Sequence, residues 1–315
     1  MRTLVTGGAG FIGSAIVDAL IADSADVLIV DDLSTGTEAN LHFALGAGAE
    51  LVELDVRQRG PVDEAFRSFR PDLVFHLAAQ IDVRKSITDP AFDASVNVLG
   101  SINVFAAADA VCARRVVNTS TGGAIYGEMA PVPTPESERP DPLSAYGLSK
   151  LTVERYASWF CRAYGLDTVT LRYGNVYGPR QDPSGDAGVI ALFCDRALAG
   201  RRPTVYGDGT QTRDYVFVTD VVAANLAAAR VETPKHRVYN IGTGIEVSVL
   251  QLAAAVAAAA GVPMAAFAPD FAPARPGELA RSCLAVDRAR HALGLGAPVA
   301  LTDGLRATLA WLSQC

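Results

Sequence analysis

The chain is poor in the residues that build metal centres and disulfide frameworks. Its five cysteines, Cys112, Cys161, Cys194, Cys283 and Cys315, are scattered, odd in number and never spaced as CxxC. That pattern reads as reduced thiols of a cytoplasmic protein with no metal site. The four histidines, His42, His76, His236 and His291, stand apart from one another. His76 lies inside an apolar run, where a satisfied core histidine is expected. A basic excess is also missing. The formal net charge is −7 over 315 residues, which argues against a nucleic-acid surface. A small anionic ligand remains compatible, because local arginines and backbone amides decide that. The Ala-rich stretch from Leu252 to Ala260 is far too short to span a bilayer. Met1-Arg2 runs straight into an apolar strand, so neither a leader peptide nor a membrane partner is expected. Internal repeats and low-complexity tails are absent.

What is present is an ordinary globular composition, 50% hydrophobic and 19% charged, able to bury a sizeable core. The length suits one large domain, or one of about 180 residues with a smaller companion.

The order of elements points to an α/β chain. Thr3 to Thr6 is a short apolar, β-branched run, followed by Gly7-Gly8-Ala9-Gly10-Phe11-Ile12-Gly13 and then by apolar residues at helical spacing. Strand, glycine turn and helix in that order form a diphosphate cradle. The first glycines allow a tight turn and close backbone approach, the last allows helix to pack on strand, and the helix dipole faces the anion. A second strand, Asp26 to Val30, ends in Asp31-Asp32. Asp31 is 18 residues beyond Gly13 (31 − 13), where a carboxylate can accept from a ribose hydroxyl and repel a 2′-phosphate. No Arg follows in Asp32-Leu33-Ser34, so NAD is favoured over NADP. A strand at Leu51 to Leu54 ends in Asp55-Val56. Asp55 has two readings of equal weight, adenine contact or turn-forming residue. Leu73 to Ala79 is a fourth strand closing on small residues, with Leu77-Ala78-Ala79-Gln80 placed for a cofactor near the backbone.

A long helix is expected from Pro90 to about Ala110. Asn97 and Asn103 lie inside it, and an interior Asn is mildly unfavourable, so at least one is expected to have a tertiary partner. Arg115 to Thr119 is a fifth strand leading into Ser120-Thr121-Gly122-Gly123, and Thr168 to Arg172 is a sixth. This alternation predicts a doubly wound parallel Rossmann sheet. After Pro179 the rhythm breaks. The expected division is a sheet domain over 1–178, with a returning element near 214–242, and a smaller, partly interleaved lobe over 179–315.

Tyr146 and Lys150 are four apart at the start of a helix running to about Tyr164, so their side chains share a face. A Tyr hydroxyl titrates near pH ~10, and a cation held beside it favours the phenolate. Such a pair can move a proton to or from a substrate hydroxyl.

Taken together, the glycine turn, Asp31, Asp55-Val56, Leu77-Ala78-Ala79-Gln80, Ser120-Thr121, Tyr146-xxx-Lys150 and Asn175-Val176-Tyr177-Gly178-Pro179 resemble the extended short-chain dehydrogenase/reductases, in the NAD-dependent nucleotide-sugar epimerase/dehydratase branch. Within it the chain looks most like the UDP-glucose 4-epimerases. The resemblance implies tightly bound NAD held by Gly7, Gly10, Phe11, Ile12, Gly13, Asp31, Asp32, Asp55, Val56, Leu77, Ala78, Ala79, Gln80, Asn97, Tyr146, Lys150 and Tyr173. It implies reversible oxidation at sugar carbon 4, with Tyr146 taking the proton, the keto sugar turning in the pocket and hydride returning to the other face. Lys150 would bind the nicotinamide ribose and lower the Tyr146 pKa.

One position departs from the family pattern. Four residues before Tyr126, where the family carries Ser or Thr, stands Gly122. The role falls to Thr121, with Ser120 as runner-up. The dehydratase branch places Asp-Glu after that Thr. Gly122-Gly123 offer no acid, which argues against dehydration. On the substrate side the resemblance implies Thr121, Asn175, Val189, Tyr206, Arg213, Arg275, Glu278 and Ser282 as contacts of a UDP-sugar. Ser282 is small where the family limits sugar size, so UDP-N-acetylhexosamine is an alternative substrate; a 4-epimerase of UDP-glucuronate is a second outcome on the same scaffold. A homodimer through helices near residues 90–110 and 146–164 is also implied. A non-catalytic NAD-binding regulator is the alternative from another class, and the intact Tyr146/Lys150 pair counts against it.

Overall fold

The computed structural model describes residues 1–183, 188–275 and 279–314. Six strands follow in chain order: β1 (Arg2–Thr6), β2 (Asp26–Asp31), β3 (Glu50–Glu53), β4 (Leu73–His76), β5 (Arg115–Thr121) and β6 (Thr168–Tyr173). With Val238–Ile241 they form a seven-stranded sheet in which that last strand borders β6, followed by β5, β4, β1, β2 and β3. Each neighbouring pair is parallel. Side chains alternate between the faces. Along β1, Val5 joins a core with Ile16, Val17 and Leu20 of the Phe11–Ala22 helix and Ala224 and Ala228 of the Val218–Arg230 helix. Leu4 faces the other way, toward Phe66, Phe105, Val153 and Phe160. Both faces are therefore covered, as a parallel sheet requires. Phe105 is fully buried and meets Phe160 edge to face at 5.6 Å; truncating such a ring to Ala costs about 3–5 kcal/mol.

The Pro90–Ala110 stretch is long and apolar enough to cross a membrane by length and composition alone. Here it is a core helix broken by a π-helical turn at Ser95–Leu99. Such turns recur at functional sites. The Ala145–Tyr164 helix beside it starts at Ser144, whose hydroxyl accepts from the Gly147 N–H at 3.1 Å. It stops at Gly165, which has a left-handed φ of 82°.

A third core lies beyond the sheet. Phe193, Leu252, Val256, Leu305 and Leu309 come together from the Val189–Leu198, Val249–Ala260 and Leu301–Leu312 helices, against Tyr177 and Phe217. The short strands Asn175–Tyr177 and Tyr215–Phe217 pair in parallel at its border. The chain then returns to the sheet at Val238–Ile241.

Candidate active site

The glycine turn closes on itself. Gly7 has φ of 68°, and a Cβ there would meet the Ala78 nitrogen at 2.6 Å; a Cβ at Gly13 would meet the Gly7 carbonyl at 2.0 Å. Only glycine lets the turn pack this tightly against Leu77 and Ala78 after β4 and against the first turn of the Phe11–Ala22 helix, whose N-terminus suits a diphosphate. Asp31 is buried at the carboxyl end of β2. Its Oδ2 accepts from the Ala9 N–H and its Oδ1 from the Leu33 N–H, each at 2.9 Å. Burial pushes its carboxyl up, those two amides oppose the rise, and neighbouring Asp32 adds to it. Each oxygen keeps a lone pair for a ribose hydroxyl. The donor set and the glycine cradle fit a dinucleotide.

Three expected cofactor contacts have other partners. Asp32 is exposed, and its Oδ1 accepts from Ser34 N–H at 3.0 Å and Ser34 hydroxyl at 2.5 Å. Asp55 forms a turn with Arg57, whose N–H it accepts at 2.8 Å, and the guanidinium holds both its oxygens. That bond holds the Asp55 carboxyl below its ordinary range. Asn97 is 1% exposed. Its Oδ1 accepts from the Gln80 N–H, and its Nδ2 lies at 3.0–3.1 Å from Gln80 O, Asp93 Oδ1 and Ser149 Oγ. An Asn inside a helix costs little when its amide ties three segments, and it is a brace rather than a free donor. Asn103 has partners too, the Val56 and Arg57 carbonyls. Val56 is buried, Gln80 is 9% exposed, and Leu77, Ala78 and Ala79 line the loop after β4. Tyr173 bonds Thr119 Oγ1 and Asn225 through its hydroxyl, and its ring is packed in the core beneath the sheet's end.

The reaction centre forms where β5 meets the start of the Ala145–Tyr164 helix. The Ser86 hydroxyl accepts from the Tyr146 N–H at 3.0 Å and seats the first turn. The Thr121 side chain lies beside the Tyr146 phenol, near enough to favour its ionised form. Ser120, one residue earlier, points to the opposite face of the strand and donates to Glu154 Oε1 at 2.6 Å, 2% exposed. Period two along β5 thus puts the two hydroxyls on opposite faces. Thr121 faces the cleft, and Ser120 belongs to a buried network. In that network Arg172 binds Glu154 through Nε at 2.9 Å and NH2 at 2.6 Å, and donates to Tyr126 OH at 2.7 Å. Gly122 opens a short helix to Ile125 and lies against Leu284, which a Cβ would strike at 2.5 Å. A side chain at 122 would have to displace the Leu284 side chain.

Lys150 donates from Nζ to the Thr119 carbonyl at 3.1 Å. Burial pushes it down to about 8, with Asp93 and Glu154 holding it up. The spacing predicts a Tyr146 phenol depressed by Lys150. In the protein alone the opposite holds: burial pushes Tyr146 up to about 12, Asp93 adds to the rise and Thr121 opposes it. His76 is a core histidine, bonded to Thr6 Oγ1 at 2.7 Å and Ser101 Oγ at 2.8 Å. Burial first, then Lys150, pushes it down to about 3, so it is neutral.

On the substrate side, a Cβ at Gly123 would lie 3.4 Å from Asn175 Oδ1 and 3.9 Å from Thr121 Oγ1. Asn175 and Thr121 therefore flank one glycine. Asn175 is exposed and is set by its N–H to the Asp214 carbonyl at 2.8 Å. The Arg275 guanidinium lies over the Tyr206 ring at 3.9 Å, a cation–π contact worth about 0.5–1 kcal/mol at an exposed site. Arg213 donates to the Thr212 carbonyl at 2.7 Å. Ser282, 8% exposed, donates its N–H to the same carbonyl at 3.1 Å. Val189 starts a helix and is half-buried. Glu278 lies outside the described residues. Residues that sequence reading missed are Ser86, Asp93, Glu154 and Arg172. Glu154 carried a signal: it follows Lys150 by four on the buried face of the same helix.

A parallel sheet with a glycine cradle at its first turn, and a Tyr/Lys/Thr centre at the end of β5, define an NAD-dependent short-chain enzyme. The chain belongs to the NAD dependent epimerase/dehydratase family, whose model matches residues 3–242. It is 45% identical to the UDP-glucose 4-epimerase of Mycolicibacterium smegmatis over 98% of this chain and 97% of that one. Among solved structures, the UDP-glucose 4-epimerase of Thermotoga maritima with UDP-glucose superposes with a TM-score of 0.94 at 42% identity, covering 100% and 99% of the two chains. The UDP-glucose 4-epimerase of Thermus thermophilus in complex with NAD gives 0.90 at 42%, covering 99% of each.

Proposed function

We propose that the protein interconverts UDP-glucose and UDP-galactose by inverting carbon 4 of the sugar. The observation that carries this reading is the Thr121 side chain beside the Tyr146 phenol, with Asn175 Oδ1 on the other side of Gly123, in a fold whose first turn is a glycine cradle. Held by the glycine cradle and Asp31, NAD would supply the acceptor and donor of hydride for carbon 4 and a positive ring that favours the phenolate. The chain's own residues do the rest. Thr121 holds the 4-oxygen, Tyr146 takes its proton and later returns it, and Lys150 keeps a positive charge behind the phenol. Asn175, Tyr206, Arg213, Arg275 and Ser282 bind the nucleotide-sugar, the arginines through their bidentate donors to the diphosphate. The cradle's contacts are Gly7, Gly10, Phe11, Ile12, Gly13 and Asp31, with the ribose beside Lys150. Residues 1–178 serve the cofactor and 179–315 mainly the sugar nucleotide, apart from the returning 214–242 element.

The small Ser282 supports a second reading, a 4-epimerase that also admits UDP-N-acetylhexosamine. Incubation with UDP-glucose, UDP-N-acetylglucosamine and UDP-glucuronate, without added NAD, separates the two. Inversion of UDP-glucose is expected; inversion of none of the three rejects the function. The enzyme works in the cytoplasm as a homodimer. Leu99, Leu148, Trp159 and Tyr164 remain exposed on the 90–110 and 146–164 helices, which supports that pairing. Sedimentation of a monomer at micromolar concentration would reject it.

A further inference from the structure

Asp93 is a buried carboxylate that no cation bonds among the described residues. It is 1% exposed, in the Pro90–Ala94 turn of the core helix. Its Oδ1 accepts from Gln80 Nε2 at 2.8 Å and Asn97 Nδ2 at 3.1 Å. Its Oδ2 has no hydrogen-bond partner among the described residues. A bare carboxylate oxygen in a dry interior is costly, so a structural role alone would favour Asn or an apolar residue here. The brace aims it at the reaction centre: the same Asn97 amide that holds Asp93 reaches the Ser149 hydroxyl, between Tyr146 and Lys150.

The other charges around it are accounted for. Glu154 and Arg172 form a closed bidentate pair, 5% and 6% exposed. His76, facing Lys150 from β4, is neutral. From the helix Val83–Thr88, Lys85 lies over the Phe92 ring, as Arg57 does from the loop after β3. Asp82 caps that helix by accepting from the Arg84 and Lys85 amides, and Asp89 caps the next by accepting from Phe92 N–H. Of the two carboxylates that hold the buried Lys150 up, Glu154 is tied to Arg172, and Asp93 is the one bonded by no cation among the described residues.

We propose that Asp93 is a positioning residue of the reaction, the fixed counter-charge that sets the electrostatic level at which the Tyr146–Lys150 pair exchanges protons. The proposal rests on the epimerase reading for its kinetic form. The field of Asp93 raises both partners, Tyr146 and Lys150, so both limbs of a bell-shaped profile depend on it in the same sense. The experiment compares the NAD-bound wild type with Asp93→Asn and Asp93→Glu. In Asp93→Asn both limbs of kcat against pH with UDP-glucose should move to lower pH, and Asp93→Glu should bring them back. A lowered plateau with unmoved limbs, or a fall in Tm alone, overturns the proposal. A second readout is independent of turnover: the ultraviolet titration of the Tyr146 phenolate, taken as the difference from Tyr146→Phe in each background. It should shift down in Asp93→Asn, and an unshifted titration overturns the proposal even if kcat falls. A wild type that inverts no UDP-sugar removes the functional reading, while the titration still decides the role of Asp93.

Discussion

The two walls of the cleft are built in different ways. The cofactor wall is made of backbone: a turn whose glycines touch the Gly7 carbonyl and Ala78, and one acid, Asp31, fixed by two amides. On the proposed function, the sugar wall is made of side chains from distant segments: Thr121, Asn175, Tyr206, Arg213, Arg275 and Ser282. Backbone shape is intolerant of any added atom. Side-chain contacts are separable, and each can be weakened alone. Substitutions on the first wall should therefore abolish, and on the second should grade.

The largest effect belongs where the walls meet. Tyr146→Phe should lower kcat by roughly 10³-fold with NAD still bound, measured by turnover and by the cofactor released on denaturation. Thr121→Ala should cost roughly 10²-fold in kcat. Ser120→Ala should leave more activity but destabilise the fold by about 1–3 kcal/mol, because Glu154 loses a buried donor; thermal melts and kinetics on the two variants separate the roles. Equal losses in both would erase the distinction between the faces of β5. On the cofactor wall, Gly13→Ala should cost about 1–3 kcal/mol of overpacking and lose bound NAD. Retention of the dinucleotide would show that the turn adapts. On the sugar wall, Arg275→Ala should raise KM about tenfold, about 1.4 kcal/mol, with kcat little changed. The mildest test needs no substitution. Burial has lowered Lys150 to about 8, so its ammonium is present below that pH and is lost as pH rises through it. Activity of the wild type should fall along an alkaline limb near there.

The same contrast explains what the sequence made legible. The strand–glycine–helix order and Asp31 could be read because their function is local in the chain. The sheet was equally plain: Leu4 and Val5 alternate, and each apolar run ends where a ligand can reach. His76 as a core residue was also readable, from the apolar run around it. The correct partner of Tyr146 was harder. Four residues on a helix put Lys150 on its face, but the phenol answers first to burial and to Asp93, from another helix. Asn97, Asp32 and Asp55 carry the right residue types at the right places, yet their atoms bond protein groups that no spacing reveals. Ser120 could be assigned only once Glu154 was seen on its side of the strand.

The return of Val238–Ile241 to the sheet sets a schedule for synthesis. All six residues of β6 are buried in the finished protein, and among the described residues its outer edge pairs only with Val238–Ile241. Until that segment leaves the ribosome, the nascent sheet carries a strand meant for burial, with Val169 and Leu171 and an open row of amides and carbonyls, a template for pairing with another chain. A polypeptide stopped before Val238 would hold nearly every cofactor residue and still be the species most prone to aggregate.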